Sequence, residues 1–296
     1  DCPESDGTNC KISYYDVTNG DLKFRDCDNA TCLQGTTTTV DSTNDVGQYT
    51  SVDCTSPSTC MISYYDATAG NLNLRVAQCA DATCSTVTLS TVDSIGNVGQ
   101  WTSINCTATT DCQVAYYDVT NTALKFVRCL DGGDAGDEPC NAASERTIST
   151  PDNAAAVGQY AAIMRHAACF TSGADCKISY YDATNVELKF FDCDNANCSA
   201  GTATVADTGG DLNNNVGQYT SVYCLTATDC RISYYLPDAT LQDLKFAECI
   251  NALCDGPNVN SPDTTGDVGQ YTSIYCPAAN DCKISYYDVT NGDLKF

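Results

Sequence analysis

VGQYTSVDC (46–54), CMISYYD (60–66), LNLRVAQC (72–79) and the Thr/Val run from Thr86 to Val92 read as four short β-strands in succession. Each is rich in Val, Ile, Thr and Tyr, and the gaps between them hold Gly, Asn, Asp, Ser and Pro. The same pattern recurs along the chain. ISYYD or a close relative begins at Ile12, Ile62, Val114, Ile178, Ile232 and Ile284, and VGQY or VGQW begins at Val46, Val98, Val157, Val216 and Val268. LKF begins at Leu22, Leu124, Leu188, Leu244 and Leu294, with LNL at Leu72. The period is 50 to 64 residues, and all 18 tyrosines fall in repeat motifs, Tyr223 and Tyr275 directly before a repeat cysteine.

The repeats divide the chain into units at 1–45, 46–97, 98–156, 157–215, 216–267 and 268–296. A single four-stranded sheet cannot bury both faces, so neighbouring sheets must stack. The expected fold is all-β, six four-stranded repeat units forming a six-bladed β-propeller with incomplete ends. A linear stack of the same sheets is the alternative. The first unit lacks its VGQYTS strand and the last lacks its fourth strand. Residues 9–24 and 281–296 differ only at Asn9 against Asp281, so the two ends duplicate rather than complement each other, and the natural polypeptide is expected to continue past both. Helix is scarce; its best candidate, Ala161 to Ala168, aligns with a first strand elsewhere. The gap TNGD (18–21 and 290–293) contains Asn-Gly, a hairpin signal because both residues tolerate positive φ.

Cysteine accounts for 22 of the 296 residues, against a single histidine, and no CxxC occurs. That points to disulfides in an oxidising compartment rather than to zinc. One series brackets the turn between strands one and two: Cys2/Cys10, Cys54/Cys60, Cys106/Cys112, Cys169/Cys176, Cys224/Cys230 and Cys276/Cys282. The other brackets the turn between strands three and four: Cys27/Cys32, Cys79/Cys84, Cys129/Cys140, Cys193/Cys198 and Cys249/Cys254. Each short loop is worth about 2 kcal/mol in a chain-entropy model.

The net charge of −24 disfavours nucleic acid, whose phosphates call for Lys and Arg. No run approaches the 18 apolar residues of a membrane span. The cysteine pairs lead to the expectation of a chain outside the cell or on its surface.

The line VGQYTSVDC…CMISYYDATAGNLNL resembles the VGxYTS…ISYYDxxNGDLKF repeats of large secreted and surface proteins of microbes and protists. Those repeats are distantly similar to sialidase-type propeller blades, although the Asp-box (SxDxGxTW) of sialidases is absent from every copy here. The resemblance implies a propeller-like fold in an extracellular setting and no particular activity.

Several residues are candidates for sites. Asp16, Asp66, Asp118, Asp182 and Asp288, after the tyrosine pairs, are expected to cap turns through the backbone two residues on. Calcium is the sharper reading of the same loops, through Asp16, Asn19 and Asp21, but the third position varies to Asn71, Ala123, Glu187, Asp243 and Asp293, so no cofactor is expected. The tyrosine pairs beginning at Tyr14, Tyr64, Tyr116, Tyr180, Tyr234 and Tyr286 should send one ring between sheets and leave its neighbour able to meet a sugar. Gln48, Gln100, Gln159, Gln218 and Gln270 are expected to form an inter-blade hydrogen-bond ladder rather than a binding ring. His166, in a four-residue insertion of the fourth copy, and the expanded turn from Leu130 to Pro139 are expected to be surface bulges. The sequons at Asn29, Asn105 and Asn197 lie beside cysteines at hairpin turns, where N-linked glycans would project into solvent.

Together these features lead to the expectation of a non-catalytic extracellular structural protein, not an enzyme. Such a chain would be a building block of a surface fibre, sheath or appendage such as a flagellar hair, with copies of itself or other extracellular chains as partners. A multivalent glycan-binding propeller is the alternative.

Overall fold

The computed structural model describes residues 1–3, 9–130, 140, 142–164, 176–210, 215–238 and 241–296. The chain is all-β, and its antiparallel sheets are β-propeller blades, six in number. Four are four-stranded: β4 (Val46–Ser56) to β7 (Val87–Asp93), β8 (Val98–Ala108) to β11 (Arg146–Asp152), β12 (Val157–Ile163) to β15 (Gly201–Asp207), and β16 (Gln218–Thr226) to β19 (Asn258–Asp263). The first sheet has β1 (Lys11–Asp16), β2 (Asp21–Cys27) and β3 (Gly35–Asp41); the last has β20 (Val268–Ala278), β21 (Asp281–Asp288) and β22 (Asp293–Lys295). The helix candidate at Ala161 is strand up to Ile163. The blades fall into two compact units, residues 1–121 with 126–148, and residues 122–125 with 149–296.

The second strand of each blade carries ISYYD. In β5 (Thr59–Asp66) the run from Cys60 to Asp66 is buried throughout, because neighbouring sheets cover both of its faces. The buried cluster of the first unit joins Leu22 and Phe24 of one blade to Val46, Val52, Ile62 and Tyr64 of the next. Side chains tie blade to blade in a repeated way. In five of the six pairs the first tyrosine donates its hydroxyl to the aspartate that ends the preceding blade's last strand: Tyr64 to Asp41 (2.8 Å), Tyr116 to Asp93 (2.8 Å), Tyr180 to Asp152 (2.6 Å), Tyr234 to Asp207 (2.5 Å) and Tyr286 to Asp263 (2.8 Å). The third strand adds a cation in three of these: Arg75 on Asp41, Lys189 on Asp152 and Lys295 on Asp263. Serine and threonine hydroxyls make a further tie, Ser63 with Thr102 (2.8 Å), Ser179 with Thr220 (2.8 Å) and Ser233 with Thr272 (2.7 Å).

The TNGD turn differs from the two-residue form. Asp16 and Asp21 face each other across a four-residue loop, the Gly20 N–H donates to the Asp16 carbonyl (2.8 Å), and only Gly20 of the Asn-Gly pair has positive φ, at 74°. Leu72, Thr122 and Val186 take the left-handed conformation at the corresponding loop ends, so the loop geometry outranks the residue preference.

Ten disulfides are bonded: Cys2–Cys10, Cys27–Cys32, Cys54–Cys60, Cys79–Cys84, Cys106–Cys112, Cys129–Cys140, Cys193–Cys198, Cys224–Cys230, Cys249–Cys254 and Cys276–Cys282. Cys169, expected to pair with Cys176, lies outside the described residues, as does His166.

Candidate functional site

The VGQ-aromatic strand is where the chain departs from regular β geometry. In the first half of β4 the register against β5 shifts between Val46 and Gln48 and again between Gln48 and Ser51. Within that bulge Gly47 takes φ +103° and Tyr49 takes φ +54°. The pattern repeats at Gly99/Trp101, Gly158/Tyr160, Gly217/Tyr219 and Gly269/Tyr271. Glycine is required at the first position because the preceding blade comes so close. A Cβ on Gly217 would lie 2.7 Å from Leu188 Cα, and one on Gly99 would lie 2.7 Å from Leu74 Cα.

Left-handed backbone at a bulky aromatic residue is unfavourable, by about 1–2 kcal/mol, and bulges commonly re-aim a side chain. Here they re-aim five aromatic rings. In the first unit Tyr49 and Trp101 lie with centroids 5.3 Å apart, tilted by 54°. In the second, Tyr160 and Tyr219 are 4.6 Å apart, and Tyr219 and Tyr271 are 4.3 Å apart. Tyr49 is 39% and Tyr271 66% exposed, while Trp101, Tyr160 and Tyr219 are half-buried. The Tyr219 phenol is raised well above its ordinary pKa, first by burial and then by the neighbouring phenols of Tyr160 and Tyr271, so it stays a neutral donor.

The glutamines of the same bulge face the second tyrosine of the preceding blade. The hydroxyls there donate to the loop that leads into the bulge, Tyr15 to Asp45 (2.6 Å), Tyr65 to Asn97 (2.8 Å) and Tyr235 to Asp267 (2.7 Å), with the glutamine alongside. Tyr235 is pushed up to about 12, by burial first and then by its bond to Asp267. Gln48 joins the tie through Asp45, to which its side-chain amide donates at 3.3 Å.

The tyrosine pairs do not behave as alternate-facing platforms. Tyr64, Tyr116, Tyr180 and Tyr234 are fully buried, but their neighbours Tyr65, Tyr117, Tyr181 and Tyr235 are also buried, at 3–4% exposure. A second strand sandwiched between blades has no solvent face, so the expected sugar-facing neighbour is absent in these four blades.

The recurring aspartates are turn caps. Asp16 accepts the Thr18 N–H (3.1 Å) and the Asn19 side-chain amide (2.8 Å), and Asp182 and Asp288 repeat the arrangement with Asn185 and Asn291. Amide bonding, led by Asn19 and by Asn291, holds Asp16 and Asp288 below the usual carboxylate range. Their oxygens are already committed to protein donors.

The sequons separate into two kinds. Asn29 and Asn197 sit half-buried in turns, and the Thr31 hydroxyl donates to Asn29 Oδ1 at 2.8 Å. Asn105 does not project from a turn. It lies inside β8, 4% exposed, with its Nδ2 enclosed and without a hydrogen-bond partner. The reason is that Cys106 and Cys112 face each other across the ladder and the strands run on to Ala108 and Asp111 before turning. Peptide mapping of native material is expected to find Asn105 unmodified; glycan on Asn105 would contradict its enclosure.

No protein-family model matches the sequence, and no curated protein matches it either. Solved chains similar in fold include a bifunctional GH43-CE chain of Bacteroides eggerthii (8% identity, TM-score 0.47), of which this chain covers 31% with 81% of its own length. The catalytic domain of Coprinopsis cinerea GH62 alpha-L-arabinofuranosidase is another (9% identity, TM-score 0.48, covering 81% of this chain and 82% of that one). The sialidase NanB, solved with Optactamide, is a third (11% identity, TM-score 0.45, 98% and 40%). The likeness is one of fold.

Two expectations are corrected at this point. The expectations of a non-catalytic structural role in a fibre, sheath or appendage and of a chain that is not an enzyme are both withdrawn, because the solved chains similar to it in fold include carbohydrate-active enzymes. Repetition, disulfide density, sequons and the lack of a recognised active site were their basis, and the disulfides close hairpins within single blades, which favours neither role. Ten disulfides fit an extracellular protein, and among the described residues no helix is long and apolar enough to cross a membrane.

Proposed function

We propose that this chain is an extracellular carbohydrate-recognising protein that meets neutral glycan chains with the aromatic rings of its VGQY and VGQW bulges. The observation that carries this is the set of five aromatic residues held left-handed at one repeat position with part of each ring in solvent. Strain kept at this position of the repeat asks for a use, and the inter-blade ties belong to other residues: Tyr15 with Asp45, Tyr64 with Asp41, and Ser63 with Thr102. Exposed aromatic faces bind apolar ligand surfaces. The C–H faces of pyranose rings supply such surfaces, and their hydroxyls suit the serine and threonine side chains alongside. A net charge of −24 selects against polyanions and leaves neutral glycans favoured.

N-linked glycans at Asn29 and Asn197 belong to the same extracellular setting. The test is retention on a panel of insoluble neutral polysaccharides. Wild-type protein should be depleted from solution, and Tyr219→Ala should weaken binding tenfold or more with the melting temperature held. Equal retention of the variant, or no retention of wild type on any polysaccharide, would overturn the proposal. The same samples assayed for new reducing ends test for turnover.

A further inference from the structure

In the repeat, the residue directly before the first-strand cysteine is a short polar group in the first three blades: Asp1, Asp53 and Asn105. In the first two of these it ties blades together, with Asp1 Oδ2 accepting the Cys54 N–H (3.0 Å) and Asp53 Oδ2 accepting the Cys106 N–H (2.5 Å). In the fifth and sixth blades the position is Tyr223 and Tyr275. A carboxylate tie is replaced by two rings packed edge to face, with centroids 5.2 Å apart and Tyr275 57% exposed. These rings stand on the same face as the bulge aromatics. Along β20, Tyr271, Ser273 and Tyr275 are exposed while Thr272, Ile274 and Cys276 are buried. Along β16, Tyr219, Ser221 and Tyr223 are half-buried while Thr220, Val222 and Cys224 are buried. The two strands lie side by side, with the Ile274 N–H donating to Ser221 Oγ at 3.2 Å between the two ring pairs.

We infer that β16 and β20 present an extended binding face for a linear neutral oligosaccharide, with Tyr219–Tyr271 and Tyr223–Tyr275 as two successive stacking contacts. This rests on the carbohydrate reading above and adds the length of the ligand. Four residues along a strand span about 13 Å, too far for one pyranose ring to touch both pairs. A short sugar reaches one contact, and a longer chain reaches both, with serine hydroxyls between. The other repeats with a polar group at this position have one contact per strand.

The test is calorimetric titration of the whole chain with cello-, xylo- and manno-oligosaccharides of one to six units. For wild type, affinity should rise tenfold or more from disaccharide to hexasaccharide in the series that binds. The double variant Y223A/Y275A should keep the disaccharide affinity and lose the gain with length. Should Tyr223→Ala disturb folding, Tyr275→Ala alone carries the test, because that side chain is mostly in solvent. A double variant that retains the full gain with length would overturn the inference and leave the carbohydrate reading intact. Absence of binding by wild type to every oligosaccharide and polysaccharide would overturn both.

Discussion

Gly217→Ala is expected to lower the unfolding free energy by about 3 kcal/mol or more, read as a shift of the urea midpoint with an unchanged slope. Two effects add. The residue sits at φ +99°, outside the region that L residues adopt readily, and the new methyl would lie 2.7 Å from Leu188 Cα and 2.9 Å from Leu188 N. Neither neighbour is the end of a flexible side chain, so the blades themselves would have to move apart. A compensating shift would in turn disturb the packing of the Tyr219 ring against Tyr271. Gly256→Ala is the matched control: its φ is +65° and the added methyl would meet nothing within 4 Å. Its cost should be about 1 kcal/mol, from the backbone alone. Equal effects for the two substitutions would show that close blade approach is not what fixes the glycine.

Asp152→Ala is expected to cost about 3–5 kcal/mol, because it leaves a buried ammonium without its partner. Asp152 accepts the Tyr180 hydroxyl at 2.6 Å, the Lys189 ammonium and the Ala154 N–H at 3.0 Å. Burial by itself would raise its pKa, but the bonds from Lys189 and Tyr180 outweigh that and hold it below the ordinary value. Asp263, in the equivalent place with Lys295 and Tyr286, is half-buried, which alone would raise its pKa, and is held down to about 2 by those bonds. A carboxylate whose folded pKa is depressed stabilises the fold above its unfolded pKa and loses that contribution as pH falls through the folded value. Wild type should therefore lose stability from about pH 4 downward, and Asp152→Ala should show a shallower acid limb. An acid limb of unchanged steepness in the variant would mean that Asp152 is not one of the groups responsible.

The strands were legible because a second-strand motif, a glycine-aromatic first strand and clipped hairpins recur with the composition β-sheets require. The turn role of Asp16 and its counterparts was legible too, since an aspartate followed two or three residues later by an unpaired N–H has a local partner at hand. What needed three dimensions was which strand faces survive stacking. Tyr65 and Tyr235 alternate with their neighbours as strand residues must, yet both are buried, because the next blade covers the face that a single sheet would show to water. Asn105 misled in the same way, as its cysteine looked like the edge of a turn and is a cross-strand pair inside the ladder. The bulge aromatics were missed because nothing in periodicity announces a left-handed tyrosine. The available signal was chemical: Tyr and Trp exchange at one position of VGQY/VGQW, while the glycine two residues earlier never varies among the five copies.

Trp101 is the only tryptophan of the chain and belongs to the bulge aromatics, half-buried and 5.3 Å from Tyr49. Its fluorescence is thus a native reporter of the proposed surface. Titration with soluble neutral polysaccharides, with a sulfated polyanion as the comparison, is the most direct test that the bulge aromatics bind glycan. A saturable blue shift with at least one neutral polysaccharide, and none with the polyanion, is the predicted result. An emission spectrum unmoved by every neutral polysaccharide, in protein shown to be folded, would contradict it.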